Sequence, residues 1–430
     1  MVKYQSVKLS TEILELVLDE QYKAFLKKDL GVTRQILAKL KPAIKSSQII
    51  IITGLRRVGK STLLAQIAKK YFSDKFYFVN FEDERLLNFR SQDFDTLYQT
   101  LISLYGSKKV FLLDEIQNVP QWERFVRRLH DQGFKFIITG SNASLLSKEL
   151  GTRLTGRSIR IDLYPFSFIE YLDYKNIPMP TSKILSTKKS GQLLKQIRDY
   201  LNQGGIPDFL KYPKLPIHKA LYDDVLYRDI ATRYKLDNTS NIKELSLFLL
   251  SNISSLISFN KLKDLLKLGS VNTVKSYIDF LENSWLFFTV KKYAYSVKEQ
   301  QIAPKKIYSI DTGLSKSIGF SFSSNTGRFM ENLVYLYLRQ NNLTPFYYKT
   351  QTGFEVDFFI PQKRLLIQVC QNLDDQTKDR EVRALVDASK EQPQSKLLII
   401  SENIIDTIIV DNQAIKVIPL FKWLLTNPIL

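Results

Sequence analysis

One octapeptide constrains this chain more than any other stretch: Gly54-Leu55-Arg56-Arg57-Val58-Gly59-Lys60-Ser61. Glycines at this spacing let a loop fold around phosphate with its backbone N–H groups turned inward. A helix starting at the end of the loop aims its positive end at the same charge. The pattern is informative only between a strand and a helix. Here an apolar run at 48–53 precedes it and a helical stretch at 62–71 follows. In that context Lys60 is expected to reach the β- and γ-phosphates of ATP, and the Ser61 hydroxyl to coordinate Mg²⁺. Gly54, Arg56, Arg57, Val58, Gly59 and Thr62 complete the expected nucleotide site.

Three further β-like runs follow, at 76–81, 110–113 and 134–139. They end in Glu82-Asp83-Glu84, Asp114-Glu115 and Gly140-Ser141-Asn142. Strands alternating with helices predict a parallel sheet, with ligands at the C-terminal ends of its strands. A buried strand delivering two carboxylates beside a phosphate loop assigns Asp114 to the Mg²⁺ shell and Glu115 to polarising the attacking water. Ser141 and Asn142 are placed either to sense the γ-phosphate or as ordinary turn residues. Arg153 and Arg157 are candidates for an arginine supplied in trans at a subunit interface, or for structural arginines. Arg56 and Arg57 either touch phosphate or pair with acids such as Glu82 and Asp83.

Length sets the scale of the rest. At 430 residues the chain exceeds what one core organises, so two or three domains are expected. A single cysteine, Cys370, excludes an internal disulfide framework. Two histidines, His130 and His218, are too few for a His/Cys metal site. No run is long enough to span a membrane and no signal peptide is visible, so a cytoplasmic location is expected. The formal charge is +19. It concentrates in residues 181–350, with 25 basic against 13 acidic side chains. That excess suits either a nucleic-acid face or a lysine-rich surface.

Residues 242–251, 260–266 and 272–282 read as helices and 285–292 as β-like. These are the parts of a winged helix or of a plain bundle. In the winged-helix reading 272–282 is the recognition helix, carrying Lys275, Ser276 and Tyr277, with Lys291 and Lys292 following. From about residue 300 the pattern returns to α/β.

These motifs, taken in order, resemble a known family: prokaryotic AAA-type P-loop ATPases with a C-terminal domain of unknown function. The matching stretches are GLRRVGKSTLL at 54–64, FVNFEDERL at 78–86, VFLLDEIQNVPQW at 110–122 and IITGSNASLL at 137–146. Gly156-Arg157, Gly204-Gly205-Ile206-Pro207, Tyr227-Arg228-Asp229, the 306–313 stretch and Gly327…Glu331-Asn332 extend the likeness to roughly residues 20–375. The resemblance implies nucleotide binding and hydrolysis. The C-terminal region is similar to the restriction-endonuclease-like fold, whose acids bind Mg²⁺ beside a lysine. The counterparts here are Glu331, Asp357 with Glu355 beside it, and Gln368. Cys370 stands where that lysine belongs, so a fold without nuclease chemistry is expected.

The fold class expected is therefore α/β, in four parts. These are an N-terminal helical segment (1–47), an AAA-type P-loop core (48–180), a helical or winged-helix-like domain (181–300) and a nuclease-like α/β domain (301–430). Two functions compete. One is an ATPase coupling nucleotide state to remodelling of duplex or branched DNA, with a possible homo-oligomer. The other is a nucleotide-operated switch binding a protein partner. Neither involves a membrane.

Overall fold

The computed structural model describes residues 10–141, 154, 156–180, 186–320 and 326–426. Asn142 and Arg153 lie outside these. The chain divides into two compact units, residues 1–163 and 164–430. No helix among the described residues is long and apolar enough to cross a membrane.

The first unit is built on a five-stranded sheet in the order β2-β3-β4-β1-β5. Its strands are β1 (Ile49–Thr53), β2 (Tyr77–Asn80), β3 (Val110–Asp114), β4 (Lys135–Gly140) and β5 (Ser158–Asp162). Every pairing is parallel. The reason is visible in β1, Ile-Ile-Ile-Ile-Thr, which is buried along its whole length. β-Branched side chains suit a pleated surface, and a run without polar alternation needs cover on both faces. Part of that cover comes from the N-terminal stretch. Ser10 caps the Thr11–Leu26 helix by accepting from the Ile13 N–H. The helix buries Leu14, Val17, Leu18, Tyr22 and Phe25. Phe25 stacks on Phe78 of β2 at 3.9 Å between ring centres. The Thr11–Leu26 helix thus contributes to the core of this unit.

The second unit holds two sheets. The smaller has the order β6-β8-β7, from Ser255–Ile257 (β6), Phe287–Val290 (β7) and Lys305–Ser309 (β8), all antiparallel. Helices Ser240–Ser251, Phe259–Leu265 and Val271–Asn283 alternate with its first strands. The larger sheet runs β13-β14-β12-β11-β10-β9. Its strands are β9 (Phe346–Lys349), β10 (Glu355–Ile360), β11 (Leu365–Val369), β12 (Lys396–Ser401), β13 (Asp406–Val410) and β14 (Gln413–Pro419). β10 is antiparallel to both neighbours, whereas β11, β12 and β14 run parallel. Helix Asp375–Glu391 supplies Val382, Leu385 and Val386 to the core on one face of this sheet.

Two stretches more than 100 residues apart meet inside this unit. Asp311 is buried and accepts from the Gly205 N–H at 2.7 Å and the Leu314 N–H at 2.8 Å. Gly204 has φ +74°, and a Cβ there would lie 2.0 Å from the Asp311 carboxylate. Only glycine fits on both counts. The Gly204-Gly205-Ile206-Pro207 turn and the 306–313 stretch are therefore two halves of one clasp.

Candidate nucleotide site

The loop of 54–61 joins β1 to the Lys60–Ile67 helix at the C-terminal edge of the parallel sheet. Gly54 sits so close to the neighbouring chain that a Cβ would lie 2.3 Å from the Leu163 carbonyl oxygen. Gly59 is left-handed, with φ +92°, and opens the helix. Both glycines answer a local need, the first for space and the second for backbone conformation.

Lys60 is 5% exposed. Its ammonium donates to the Gly54 and Leu55 carbonyls, each at 3.2 Å, and lies 3.3 Å from Glu115. Ser61 and Asp114 are adjacent, and the Ser61 hydroxyl hydrogen-bonds the Asp114 carboxylate. Burial and the Glu115 charge raise the pKa of Asp114. Burial also opposes the charge on Glu115. Lys60, Gln117 and Arg56 outweigh it, so that carboxyl is held below its ordinary value.

Glu115 is fixed from three sides. It has the left-handed conformation, φ +51°, at the end of β3. Its carboxylate accepts from Gln117 and from the Ser141 N–H, the latter at 3.2 Å. Its own N–H donates to Thr139 Oγ1 at 3.0 Å. The same Thr139 hydroxyl donates to Asp114. A left-handed non-glycine residue costs about 1–3 kcal/mol and persists where its surroundings over-determine it.

Other expected residues fall in different places. Val58 is buried and Arg57 exposed, the latter left-handed at φ +63°. Arg56 donates to Glu82 at 3.0 Å, and Asp83 is held by Arg85. Thr62 is half-buried in the first turn of the helix. Ser141 is buried, and its backbone reaches Glu115. Arg157 is remote. Its carbonyl accepts from the Ile49 N–H, at the start of β1, and its guanidinium pairs with Asp131 at 3.3 Å. Five strand residues, roughly 16 Å, separate that end of β1 from the phosphate loop.

Sequence reasoning missed Thr139, Gln117 and Arg34. Arg34 is 5% exposed and donates to the Val58 carbonyl at 2.7 Å, bracing the loop from the N-terminal segment. A lone arginine in 33–35 carries no spacing rule that would have found it. Thr139 was visible only as the end of a strand.

The second unit gathers the nuclease-like candidates, with one addition. Glu331, Glu355 and Asp357 surround the ammonium of Lys306 at 3.0, 2.9 and 2.8 Å. Gln368 accepts from the Asp357 N–H at 3.1 Å and donates to Glu381. Cys370 is buried. Burial and the nearby Glu381 and Asp357 charges push its thiol up to about 12, so it carries no charge at neutral pH. Among the described residues no group of three or more His, Cys, Asp or Glu side chains is placed to hold a metal ion.

Comparison with known proteins fits this division. The family model of an AAA domain matches residues 46–172, and that of a domain of unknown function (DUF8612) matches 194–324. The latter match lies in the middle of the chain and ends before the C-terminal sheet begins at Phe346. The uncharacterized protein MJ1544 of Methanocaldococcus jannaschii is 35% identical over 432 residues, 96% of this chain and 95% of its own length. An uncharacterized protein of Haemophilus influenzae is 32% identical, over 67% of this chain and 74% of its own. Solved structures with a likeness include AMPPCP-bound DnaA from Aquifex aeolicus (16% identity, 58% of this chain and 86% of that one, TM-score 0.27). A Thermotoga maritima RuvB variant is also similar (16% identity, 61% and 92%, TM-score 0.30). Scores this low carry no argument, and the assignment rests on the sequence matches alone. By that identity and near-complete overlap, this chain belongs to the family of MJ1544, with an AAA domain ahead of a domain of unknown function.

Proposed function

We propose that the protein binds ATP with Mg²⁺ and hydrolyses it, and that nucleotide state controls engagement of DNA by the second unit. One observation carries the hydrolytic reading: Lys60, Ser61, Asp114, Glu115 and Thr139 converge at the C-terminal edge of the parallel sheet. The adjacency of Ser61 and Asp114 fits a shared Mg²⁺ shell, and the bound ion would neutralise phosphate charge. Lys60 and the loop N–H groups hold the β- and γ-phosphates. The incoming phosphates compete with Glu115 for Lys60 and leave that carboxylate to orient water, steadied by Gln117 and the Ser141 N–H. The test is Glu115→Gln. It is expected to keep ATP affinity and lose phosphate release by on the order of 100-fold or more. Turnover equal to wild type removes Glu115 from the mechanism.

The DNA reading is supported by strand order. Helix, β6, helix, helix, β7, a short Val297–Ile302 helix and β8, with the order β6-β8-β7, support a winged-helix reading in which Val271–Asn283 takes the recognition position. Val274, Ile278 and Leu281 are buried, whereas Asn272, Lys275 and Ser276 are exposed. The β9-to-β12 directions support a nuclease-like fold at the C-terminal end, without the chemistry. A second reading, capture of a protein partner, is favoured by exposed Tyr295, Val297 and Ile302 between β7 and β8. Binding to duplex and branched DNA across a salt series, with and without ATP, separates the two. Affinity falling linearly in log salt supports DNA, and no binding at about 50 mM salt supports the protein partner.

Arg157 acts, in this proposal, only on a neighbouring copy's nucleotide, because its own loop is at the other end of β1. Mixing Arg157→Ala with Lys60→Ala subunits should then restore part of the turnover that each lacks alone. A protein that stays monomeric while hydrolysing ATP at full rate leaves Arg157 a structural role.

A further inference from the structure

Three carboxylates of the second unit converge on one point, and a protein cation occupies it. Lys306 is 2% exposed, and Glu331 and Asp357 are each 8% exposed. The ammonium makes ion pairs with three carboxylates, between 2.8 and 3.0 Å. Two of these contacts, to Glu331 and Asp357, are also hydrogen bonds, and an ammonium donates at most three. The acids come from separate elements: Glu331 from the Thr326–Gln340 helix, and Glu355 and Asp357 from β10. Lys306 comes from β8, in the other sheet.

Glu331 and Asp357 each accept a further hydrogen bond. Tyr308 donates its hydroxyl to Glu331 at 2.7 Å, and the Val369 N–H donates to Asp357 at 2.9 Å. A buried charge is tolerated when paired and fully hydrogen-bonded, and removing one partner strands the others.

We propose that Lys306 is the built-in cation of this cluster: it takes the position a divalent metal would need between Glu331, Glu355 and Asp357, and so keeps metal out. The inference rests on the geometry of the cluster and not on the ATPase reading. It also changes the reason for expecting no nuclease chemistry. The sequence points to a missing lysine at Cys370. The structure points to a lysine that stands in the metal's own place. A carboxylate cluster prefers a divalent ion to an ammonium once the ammonium is gone, since oxygen ligands and double charge suit Mg²⁺ or Mn²⁺.

The test is Mn²⁺ binding followed by electron paramagnetic resonance on the full chain without nucleotide. Wild type should hold no Mn²⁺ whose signal depends on Asp357. Lys306→Ser should bind one equivalent, with affinity at least about tenfold above wild type, and adding Asp357→Asn should abolish it. Lys306→Ser leaves buried carboxylates uncompensated, so Lys306→Ser/Glu331→Gln, with one acid fewer, is measured beside it. Refolding of either variant by Mn²⁺, seen by circular dichroism, supports the proposal equally. An Asp357-dependent Mn²⁺ site in wild type overturns it. So does failure of both variants to bind Mn²⁺, or to fold when Mn²⁺ is present.

Discussion

Each unit of this protein buries a lysine against acids, and the two lysines are held differently. Lys60 sits at the start of a helix, at the end of a loop hinged by Gly59, and shares its ammonium between one carboxylate and two backbone carbonyls. Lys306 sits mid-sheet on β8 and spends its ammonium on three carboxylates. Carbonyl partners are neutral and are exchanged for phosphate at little electrostatic cost, whereas separating a buried cation from several anions is expensive. The comparison teaches that a buried Lys–acid contact is not one kind of site. In the proposed function the first lends its lysine to phosphate, whereas the second is closed on itself.

The largest effects separate these two roles. Lys60→Ala should lower ATP turnover by roughly 10²–10³-fold, as loss of a positioned charge donor does. Its thermal midpoint should move less than that of Lys306→Ala, since Glu115 keeps Gln117 and the Ser141 N–H as donors. Lys306→Ala should do the reverse, destabilising the second unit by about 3–5 kcal/mol because it leaves buried carboxylates without their cation. Calorimetry and phosphate release on both variants check this, and a Lys60→Ala protein that unfolds early breaks the contrast.

A steric variant sharpens the first half of it. Gly54→Ala places a methyl 2.3 Å from the Leu163 carbonyl, a backbone atom that cannot rotate away. Destabilisation of about 1–3 kcal/mol is expected together with weakened ATP binding, measured by denaturant unfolding and by titration. Normal ATP affinity in this variant would mean the loop is not constrained as described.

The acid-and-base logic of the second unit predicts opposed pH dependences of similar size. Burial lowers His218 to about 4, so between that value and its ordinary 6.5 the folded chain binds fewer protons than the unfolded one. Its contribution is complete above 6.5 and is lost as pH falls toward 4, about 3 kcal/mol in all. Burial raises Asp311 from 3.8 to about 6, despite the N–H groups it accepts from. Here the folded chain binds more protons, so stability falls as pH rises from 3.8 to 6, again by about 3 kcal/mol. Urea unfolding of His218→Phe and Asp311→Asn between pH 4 and 7 should show opposite slopes relative to wild type. Parallel slopes would show that these groups are not the ones titrating.

The smallest effect concerns the surface. Lys292 is paired with Glu299 at 2.7 Å, whereas Lys291 is exposed. If the winged-helix face meets DNA, Lys291→Ala should flatten the salt slope by about one unit and Lys292→Ala by less. Equal flattening would mean that the Lys292–Glu299 pair opens on DNA.

Legibility followed sequence distance. The phosphate loop was readable because its requirements lie within eight residues: two glycines, a lysine and a hydroxyl between a strand and a helix. Asp114 and Glu115 were readable as the end of a buried strand. Arg34 and Thr139 were not, since each acts through contacts 24 or more residues away. Motif order made Arg157 a candidate for action in trans or for a structural role but could not place it; the fold sets it beside the start of β1.

What the sequence by itself determined is the local chemistry: a phosphate-binding loop, a carboxylate pair to follow it, and alternating patterns that demand a parallel sheet. Local rules suffice there because backbone conformation and neighbouring side chains do the binding. What only the tertiary structure decided is which distant charges meet. Lys306 lies 25 residues from Glu331 and 51 from Asp357, and no periodicity links a strand of one sheet to a helix and a strand of another. Burial made the pairing obligatory, because an ammonium and carboxylates removed from water must find one another, and only the packed fold specifies the place.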